Sequence, residues 1–229
     1  MNRLRPPGPT PYGATLLATW LALHCAALLA VAVSGGDVGL SNALCVWTAD
    51  HPAAQALLRP LTAWGDPGPV TLLAVGTALS ALVRRDFVAA AVLLAVPYAA
   101  TVSCGLLKGW TGRERPGFAC ASIAADGLSF PSGHAVGVST GYVLAAIALN
   151  EVLGARRPTA LLVPAVALAD LVSFSRVLLG VHHVVDVLAG QLLAVAWLGL
   201  AALPLTRRRR TGAVPGRPVG TADPDPPVP

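Results

Sequence analysis

The chain has 229 residues, of which 55% are hydrophobic and only 12% are charged, and its mean hydropathy is +0.66. This apolar content exceeds what a soluble core of this size requires, which excludes a soluble globular protein and indicates a polytopic membrane protein. The net charge of +5 does not indicate a nucleic-acid partner, because the arginines cluster in short connections between apolar segments, where membrane topology explains them.

Six apolar segments approach the length of a membrane-spanning helix, so we predict an all-α membrane protein with six transmembrane helices. The expected spans are Ala14–Val33, Val70–Val83, Phe87–Leu107, His134–Leu149, Thr159–Phe174 and Val184–Leu203. They form one membrane domain, residues 14–206, after an N-terminal tail of residues 1–13. Residues 207–229 are rich in Pro, Gly and Asp beyond an arginine cluster, which predicts a disordered C-terminal tail.

A segment of mixed polarity, Ser34–Pro69, separates the first two spans. Its central part, from Asn42 to Trp64, includes Trp47 together with a histidine and an arginine. Tryptophan beside polar groups is typical of helices that lie at the headgroup level of a membrane. We therefore predict interfacial helices here, with an ordinary loop as the alternative.

Four arginine clusters fall in alternate connections between the predicted spans. They are Arg3 with Arg5, Arg84 with Arg85, Arg156 with Arg157, and Arg207–Arg210. The positive-inside rule assigns these connections and both termini to the cytoplasmic face. The opposite face then receives three polar segments, KGWTGRERP, PSGH and SRVLLGVHHVVD. Five basic residues on that face break the rule: Arg59, Lys108, Arg113, Arg115 and Arg176. A phosphate ligand would explain several of them.

The first two polar segments suit a phosphate. Lys108 and Arg115 are seven residues apart, so an ammonium group and a planar guanidinium can converge on one anion. Ser132 and Gly133 precede the fourth span, where they can cap a helix and expose backbone N–H groups to phosphate oxygens. Taken separately, the same segments are also explained as interfacial anchors and as a helix cap followed by an incidental histidine, His134.

The third polar segment combines a histidine with a carboxylate. In a helix that starts near His182, Asp186 lies four residues later on the same face and can orient the imidazole. Arg176, before the turn, can return to the same pocket and neutralise phosphoryl oxygens. His183 lies three residues from Asp186, so the helical spacing does not choose between the two histidines.

Together, the three segments resemble the signature of the type 2 phosphatidic acid phosphatase superfamily, a family of membrane lipid phosphatases. Its first motif is Lys, six residues, Arg-Pro; its second is Pro-Ser-Gly-His; its third is Ser-Arg, five residues, His, three residues, Asp. The matching positions are Lys108, Arg115 and Pro116, then Pro131–His134, then Ser175, Arg176, His182 and Asp186. The third spacing selects His182 over His183. The resemblance covers about residues 87–203.

The resemblance implies a two-step hydrolysis, in which His182 attacks the phosphoryl group and becomes a phosphohistidine while Asp186 orients it. His134 would protonate the leaving oxygen, and water would then release phosphate. The implied phosphate-binding groups are Lys108, Arg115, Ser132, the Gly133 backbone and Arg176. Such enzymes need no cofactor or metal, and the sequence has neither a dense carboxylate cluster for magnesium nor paired Cys/His spacing for zinc.

The expected function is thus a lipid phosphate phosphatase at the extracytoplasmic face of a bacterial plasma membrane. The expected partners are the bilayer and a lipid phosphate: undecaprenyl diphosphate, phosphatidylglycerol phosphate or phosphatidic acid. One alternative is a phosphotransferase that shares the first step. Another is a non-catalytic carrier of lipid phosphates, against which the intact His134, His182 and Asp186 argue.

For the polar residues outside the three motifs we expect structural roles. A disulfide between Cys45 and Cys120 is one reading, but their spacing does not establish it and we expect buried or free thiols. Asp170 is expected to be a hydrogen-bond partner between helices, and His24 and His51 are expected to have structural roles.

Overall fold

The computed structural model of the protein describes residues 11–153 and 160–211, and side chains only for residues 18–153 and 160–202. These parts of the chain form eight α-helices and no strand. The helices are α1 Pro11–Ser34, α2 Asp37–Ala49, α3 Pro52–Ala63, α4 Pro67–Val83, α5 Phe87–Thr111, α6 Gly133–Val152, α7 Leu162–Leu178 and α8 Val184–Thr211. The predicted all-α class is confirmed.

Three helices, α5, α6 and α8, are long and apolar enough to cross a membrane. The number rises to five if α1 with α2, bent by 107°, and α3 with α4, bent by 47°, each count as one span. Helices α4 and α7 have 17 residues each, which corresponds to about 25 Å at 1.5 Å per residue. Because this is shorter than a hydrocarbon core of about 30 Å, six crossings remain a prediction.

Parts of the predicted topology lie outside the described residues. These are Arg3, Arg5, Arg156, Arg157 and the C-terminal tail beyond residue 211. Helix α8 continues through residues 207–211, at the beginning of the segment predicted to be disordered. The N-terminal helix begins at Pro11, three residues before the predicted first span.

Helix α6 is the centre of the bundle. Twelve of its 20 residues are buried, and it packs against α4, α5, α7 and α8. Small residues allow these close approaches: a Cβ on Gly190 of α8 would lie 2.6 Å from the carbonyl oxygen of Ser132. Glycine is thus required where α8 crosses the beginning of α6.

Five helix ends meet at one end of the bundle. Helices α4, α6 and α8 begin there, while α5 and α7 end there, as shown by the contacts of Asp66 with His134 and of the Ser132 amide with the Asp186 carbonyl. Arg84 and Arg85 lie at the opposite end, in the connection between α4 and α5. The N termini of α6 and α8 give the meeting point a positive partial charge, which favours an anion.

A disulfide joins Cys45 of α2 to Cys120 in the connection between α5 and α6, so the expectation of thiols at these positions is wrong. The two residues are 75 positions apart in the chain, and only the tertiary fold brings their Cα atoms to 5.8 Å. Gly180, with a φ of +82°, packs against the bridge, because a Cβ there would lie 2.7 Å from Cys45 Sγ. The turn that leads to His182 therefore rests on α2 and needs a glycine.

Asp170 links three helices, as predicted. It accepts hydrogen bonds from Trp20 Nε1 of α1 at 3.1 Å and from Gln191 Nε2 of α8 at 2.7 Å. His24 Nε2 lies 3.7 Å from the same carboxylate, and His24 Nδ1 contacts the Trp20 carbonyl. Within an apolar bundle, such bonds satisfy a carboxylate that would otherwise be costly to bury.

Candidate active site

A cavity of about 760 Å³ lies between α4 and α5 and reaches the point where the helix ends meet. Its inner end is lined by Lys108, Arg115, Gly133, His134 and His182. The rest of its wall is mainly apolar. This part is formed by Val70, Ala74 and Val75 of α4 and by Ala91, Leu94, Ala95 and Tyr98 of α5, among others. A cationic end therefore continues directly into a channel suited to a hydrocarbon chain.

His182 lies in the turn between α7 and α8 and is 1% exposed. Its Nδ1 is 3.3 Å from Asp186 Oδ2, and its Nε2 is 3.0 Å from a terminal nitrogen of Arg115. A guanidinium can only donate hydrogen bonds, so Nε2 must be the acceptor and Nδ1 must carry the proton of the neutral ring. This tautomer presents a lone pair on the nitrogen next to the cationic end of the cavity.

Four donors hold the fully buried carboxylate of Asp186. They are Ser129 Oγ, His182 Nδ1, the His183 amide at 2.9 Å and Arg113 at 2.8 Å. Neither Ser129 nor Arg113 was predicted as a site residue. The only sequence signal for Arg113 is its positive charge, two residues before Arg115, on the face that the positive-inside rule assigns to the extracytoplasmic side.

The pKa of His182 is lowered from its ordinary value of 6.5 to about 4. Burial is the largest cause, because desolvation disfavours the imidazolium. The hydrogen bond to Asp186 acts in the opposite direction, and the charges of Arg115 and Arg176 lower the pKa further. His182 is therefore neutral near pH 7, as a nucleophile must be.

This lowered pKa makes stability depend on pH. Between about pH 6.5 and 4, the unfolded chain protonates this ring whereas the folded protein does not, so stability falls as pH falls. The loss attributable to His182 reaches about 3 kcal/mol below pH 4. We expect the thermal unfolding midpoint in detergent to decrease less between pH 7 and 4.5 in His182→Asn than in the wild type. His51→Asn, at an exposed histidine, should retain the wild-type slope, and equal slopes in all three proteins would contradict the assignment.

Arg115 and Lys108 are fixed by carbonyl oxygens of the connection between α5 and α6, and Arg115 also by a carbonyl of the turn between α7 and α8. Arg115 donates to Asp126, Gly127 and Val181, with distances of 2.9–3.1 Å. Lys108 Nζ donates to the Leu128 and Ser129 carbonyls. These contacts bring two residues of the predicted first motif to one side of His182, as a common anion would require.

His134 lines the same end of the cavity, in the first turn of α6. Its Nε2 is 3.1 Å from Asp66 Oδ1, a carboxylate that the sequence interpretation missed. Gly65 packs on the ring so closely that a Cβ there would lie 2.6 Å from His134 Cδ2. The backbone before α4 thus restricts where this imidazole can move.

Two predicted phosphate-binding side chains, Ser132 and Arg176, are buried beside the cavity and do not line it. Ser132 is the N-cap residue of α6, but its hydroxyl makes no capping bond, so that part of the expectation is wrong. Its Oγ has no partner within the described part of the chain. Arg176 donates from one terminal nitrogen to Thr62 Oγ1 at 3.2 Å, and its Nε is unpaired among the described residues.

His183 is separated from the cavity by its orientation. Its ring lies edge-on to Phe118, with ring centroids 5.7 Å apart, and its Nδ1 is 3.5 Å from Asp186 Oδ2. His182 lines the cavity and His183 does not. The geometry thus distinguishes two neighbours that helical spacing leaves equivalent.

A helical bundle with apolar spans, a cationic pocket at the helix ends and a buried His–Asp pair is the architecture of a membrane protein with an anion-binding site. The chain belongs to the PAP2 superfamily, whose family model matches residues 71–210. The expected family is thereby confirmed, and with it a membrane location in a family of phosphatases.

Named relatives are themselves phosphatases. Decaprenylphosphoryl-5-phosphoribose phosphatase of Mycolicibacterium smegmatis is 34% identical over 147 residues, which cover 62% of this chain and 74% of the relative. Phosphatidylglycerophosphatase B of Bacillus subtilis is 39% identical over 87 residues, 37% of this chain and 42% of that protein. The crystal structure of a transmembrane PAP2 type phosphatidylglycerolphosphate phosphatase from Bacillus subtilis superposes with a TM-score of 0.71 at 26% identity, covering 84% of this chain and 96% of that one.

Proposed function

We propose that this protein is a metal-independent phosphatase that hydrolyses a lipid phosphate through a phosphohistidine on His182. The observation that carries the proposal is the single cavity in which a cationic end beside a neutral imidazole continues into an apolar channel. A phosphate group fits the first part by charge, and a hydrocarbon chain fits the second by the hydrophobic effect. The opening between α4 and α5 would admit the chain sideways from the bilayer.

The contacts support a defined sequence of steps. A phosphoryl oxygen takes over the hydrogen bond that Arg115 now donates to His182, which frees the Nε2 lone pair to attack phosphorus. Asp186 stabilises the imidazolium that forms as the P–N bond is made and the P–O bond to the lipid breaks. His134, which becomes protonated when the negative charge of the phosphate binds beside it, gives that proton to the leaving oxygen and then takes one from the water that cleaves the P–N bond.

The remaining predicted groups would hold the phosphoryl oxygens during both steps. Lys108 and Arg115 already line the cavity, and Gly133 offers the beginning of α6. Ser132 Oγ and Arg176 Nε, which have no hydrogen-bond partner among the described residues, are buried next to it, so a small side-chain movement would bring donors to the phosphate. Positive charge around the pentacoordinate phosphorus lowers the barrier because negative charge is spread over its equatorial oxygens.

The substrate class is a phosphate or diphosphate of a polyprenyl or glycerol lipid. The names of the relatives support both lipid types, one with a decaprenyl group and one with phosphatidylglycerol phosphate. Undecaprenyl diphosphate and phosphatidic acid complete the set of candidates. Their shared chemistry is an anionic head group joined to a long apolar chain.

We propose that the site faces the extracytoplasmic side of a bacterial plasma membrane, with both termini in the cytoplasm. Arg84 and Arg85 lie at the end of the bundle opposite the site, in agreement with the positive-inside rule. The disulfide between Cys45 and Cys120 lies at the site's end, and disulfides persist in oxidising compartments.

The decisive experiment measures inorganic phosphate released by the purified protein in detergent, with EDTA present. The panel contains decaprenylphosphoryl-5-phosphoribose, phosphatidylglycerol phosphate, phosphatidic acid and undecaprenyl diphosphate, each beside a soluble short-chain analogue. We expect chelator-resistant release that is faster for the long-chain substrates. Loss of activity with EDTA and its return with magnesium would contradict the mechanism, while consumption of lipid without free phosphate would indicate transfer to another acceptor.

A further inference from the structure

We propose that Arg113 and Asp37 are positioning residues for the catalytic pair, a role that rests on the proposed function of His182. The guanidinium of Arg113 forms two ion pairs at once. One terminal nitrogen lies 2.8 Å from Asp186 Oδ1, and the other lies 2.7 Å from Asp37 Oδ2. Arg113 thus connects helix α2 to the carboxylate that orients the nucleophile, and it does so from outside the phosphate cavity.

The two oxygens of Asp186 have different partners. Arg113 occupies Oδ1, which leaves Oδ2 for Ser129, the His183 amide and His182 Nδ1. A partial rotation of the carboxylate would move Oδ2 away from His182 Nδ1 and weaken that hydrogen bond. Because Asp186 is fully buried, its charge also needs a nearby cation, and Arg113 is the only basic residue that ion-pairs with Asp186 within the described chain, apart from His182 and His183. Arg113 therefore restricts rotation of the Asp186 carboxylate and stabilises its negative charge.

Asp37, the second ion-pair partner of Arg113, also contacts helix α8. Its Oδ1 accepts a hydrogen bond from the amide of Val185 at 3.1 Å, and Ser41 Oγ accepts one from the amide of Val184 at 3.0 Å. These amides belong to the first turn of α8, where backbone donors have no partner within the helix. Helix α2 thus caps α8 from a distant part of the sequence. One carboxylate thereby aligns Arg113 with the helix that carries Asp186.

The consequence is a specific kinetic signature. Neither Arg113 nor Asp37 lines the cavity, so their loss should leave binding of the lipid intact while it impairs attack by His182. Residues that orient a reactive group from behind typically change activity about 10- to 100-fold. A general loss of folding would instead lower the amount of active protein and leave the kinetic constants of the remainder unchanged.

The test compares purified full-length variants by initial rates of phosphate release, with the concentration of folded protein measured by size-exclusion chromatography and by the thermal unfolding transition in detergent. For Arg113→Gln we expect kcat to fall about 30-fold and KM to change less than about threefold. Arg113→Lys keeps a cation near Asp186 and should recover part of this loss. Asp37→Asn should lower kcat less, because its amide oxygen can still cap α8. The double variant Asp37→Asn/Arg113→Gln should be no slower than Arg113→Gln, since the two residues act through one connection.

Two matched controls separate this role from a general effect of charge. Arg59→Gln removes an exposed arginine whose contact is the Ser122 carbonyl, and Asp50→Asn removes an exposed carboxylate at the far end of α2. Both should retain wild-type kcat within about twofold. If the wild type is active and Arg113→Gln stays within threefold of it, the positioning role is wrong while the proposed function stands. If the wild type hydrolyses no lipid phosphate, or His182→Ala remains active, the proposed function fails, and the positioning role fails with it.

Discussion

Replacement of His182 by alanine is expected to reduce phosphate release by at least about a thousandfold, because it removes the nitrogen that we propose attacks phosphorus. The neighbouring substitution His183→Ala is the matched control. It should retain most of the activity, since the His183 ring packs on Phe118 and does not reach the cavity. The measurement is kcat for phosphate release in detergent, together with trapping of radiolabelled phosphate on the protein by an alkaline quench, because the P–N bond of a phosphohistidine is stable in base and hydrolysed in acid.

The activities of His182→Ala and His183→Ala show which of the two histidines is the nucleophile. Both should show similar thermal unfolding midpoints, because each removes one buried imidazole from the same turn. An inactive His183→Ala beside an active His182→Ala would transfer the nucleophile to His183. Activity in both single variants would show that neither His182 nor His183 is the nucleophile.

Substitution of Arg115 by methionine is expected to lower kcat/KM by about 100- to 1,000-fold, the cost of losing one preorganised donor to a reacting oxyanion. Arg115 is both adjacent to His182 Nε2 and fixed by three carbonyl oxygens, so its donors need no reorganisation when the phosphate arrives. Methionine fills a similar volume without charge or donors. The readouts are kcat/KM for the preferred lipid and inhibition by inorganic phosphate, both of which should weaken.

The control for Arg115→Met is Arg59→Met, which removes a cation from the same end of the bundle but from an exposed position. It should leave kcat/KM within about twofold of the wild type. A loss of less than tenfold in Arg115→Met would mean that this residue mainly holds the connection between α5 and α6. Unchanged inhibition by phosphate would exclude it from the anion site.

The interfacial segment between the first two predicted spans has a clearer role in the structure than in the sequence. Composition alone predicted helices at a membrane surface, with a loop as the alternative. Helix α2 in fact caps α8, forms the disulfide with Cys120 and carries the partner of Arg113. Helix α3 provides Thr62, which accepts from Arg176. Both helices therefore contact site elements through polar groups, which hydropathy patterns do not resolve.

The sequence by itself determined the class of fold, the family and the residues of the three motifs. Apolar runs predict helices that span or contact the membrane. Five site residues follow the spacing of the family signature: Lys108, Arg115, His134, His182 and Asp186. Helical periodicity alone could not separate His182 from His183; the family spacing did so, and the orientation of the two rings in the structure agrees.

Only the tertiary structure decided which distant groups meet. Arg113 pairs with Asp37 across 76 residues, His134 meets Asp66 across 68, and Asp170 accepts from Trp20 across 150. Such pairs leave no periodic signal, because a charge or an amide can be satisfied by any partner that packing brings within about 3 Å. The disulfide between Cys45 and Cys120 was not predicted for the same reason, since the two cysteines are 75 residues apart. Local patterns specify which helices form, whereas the crossing of those helices at small residues such as Gly190 specifies which polar groups share a site.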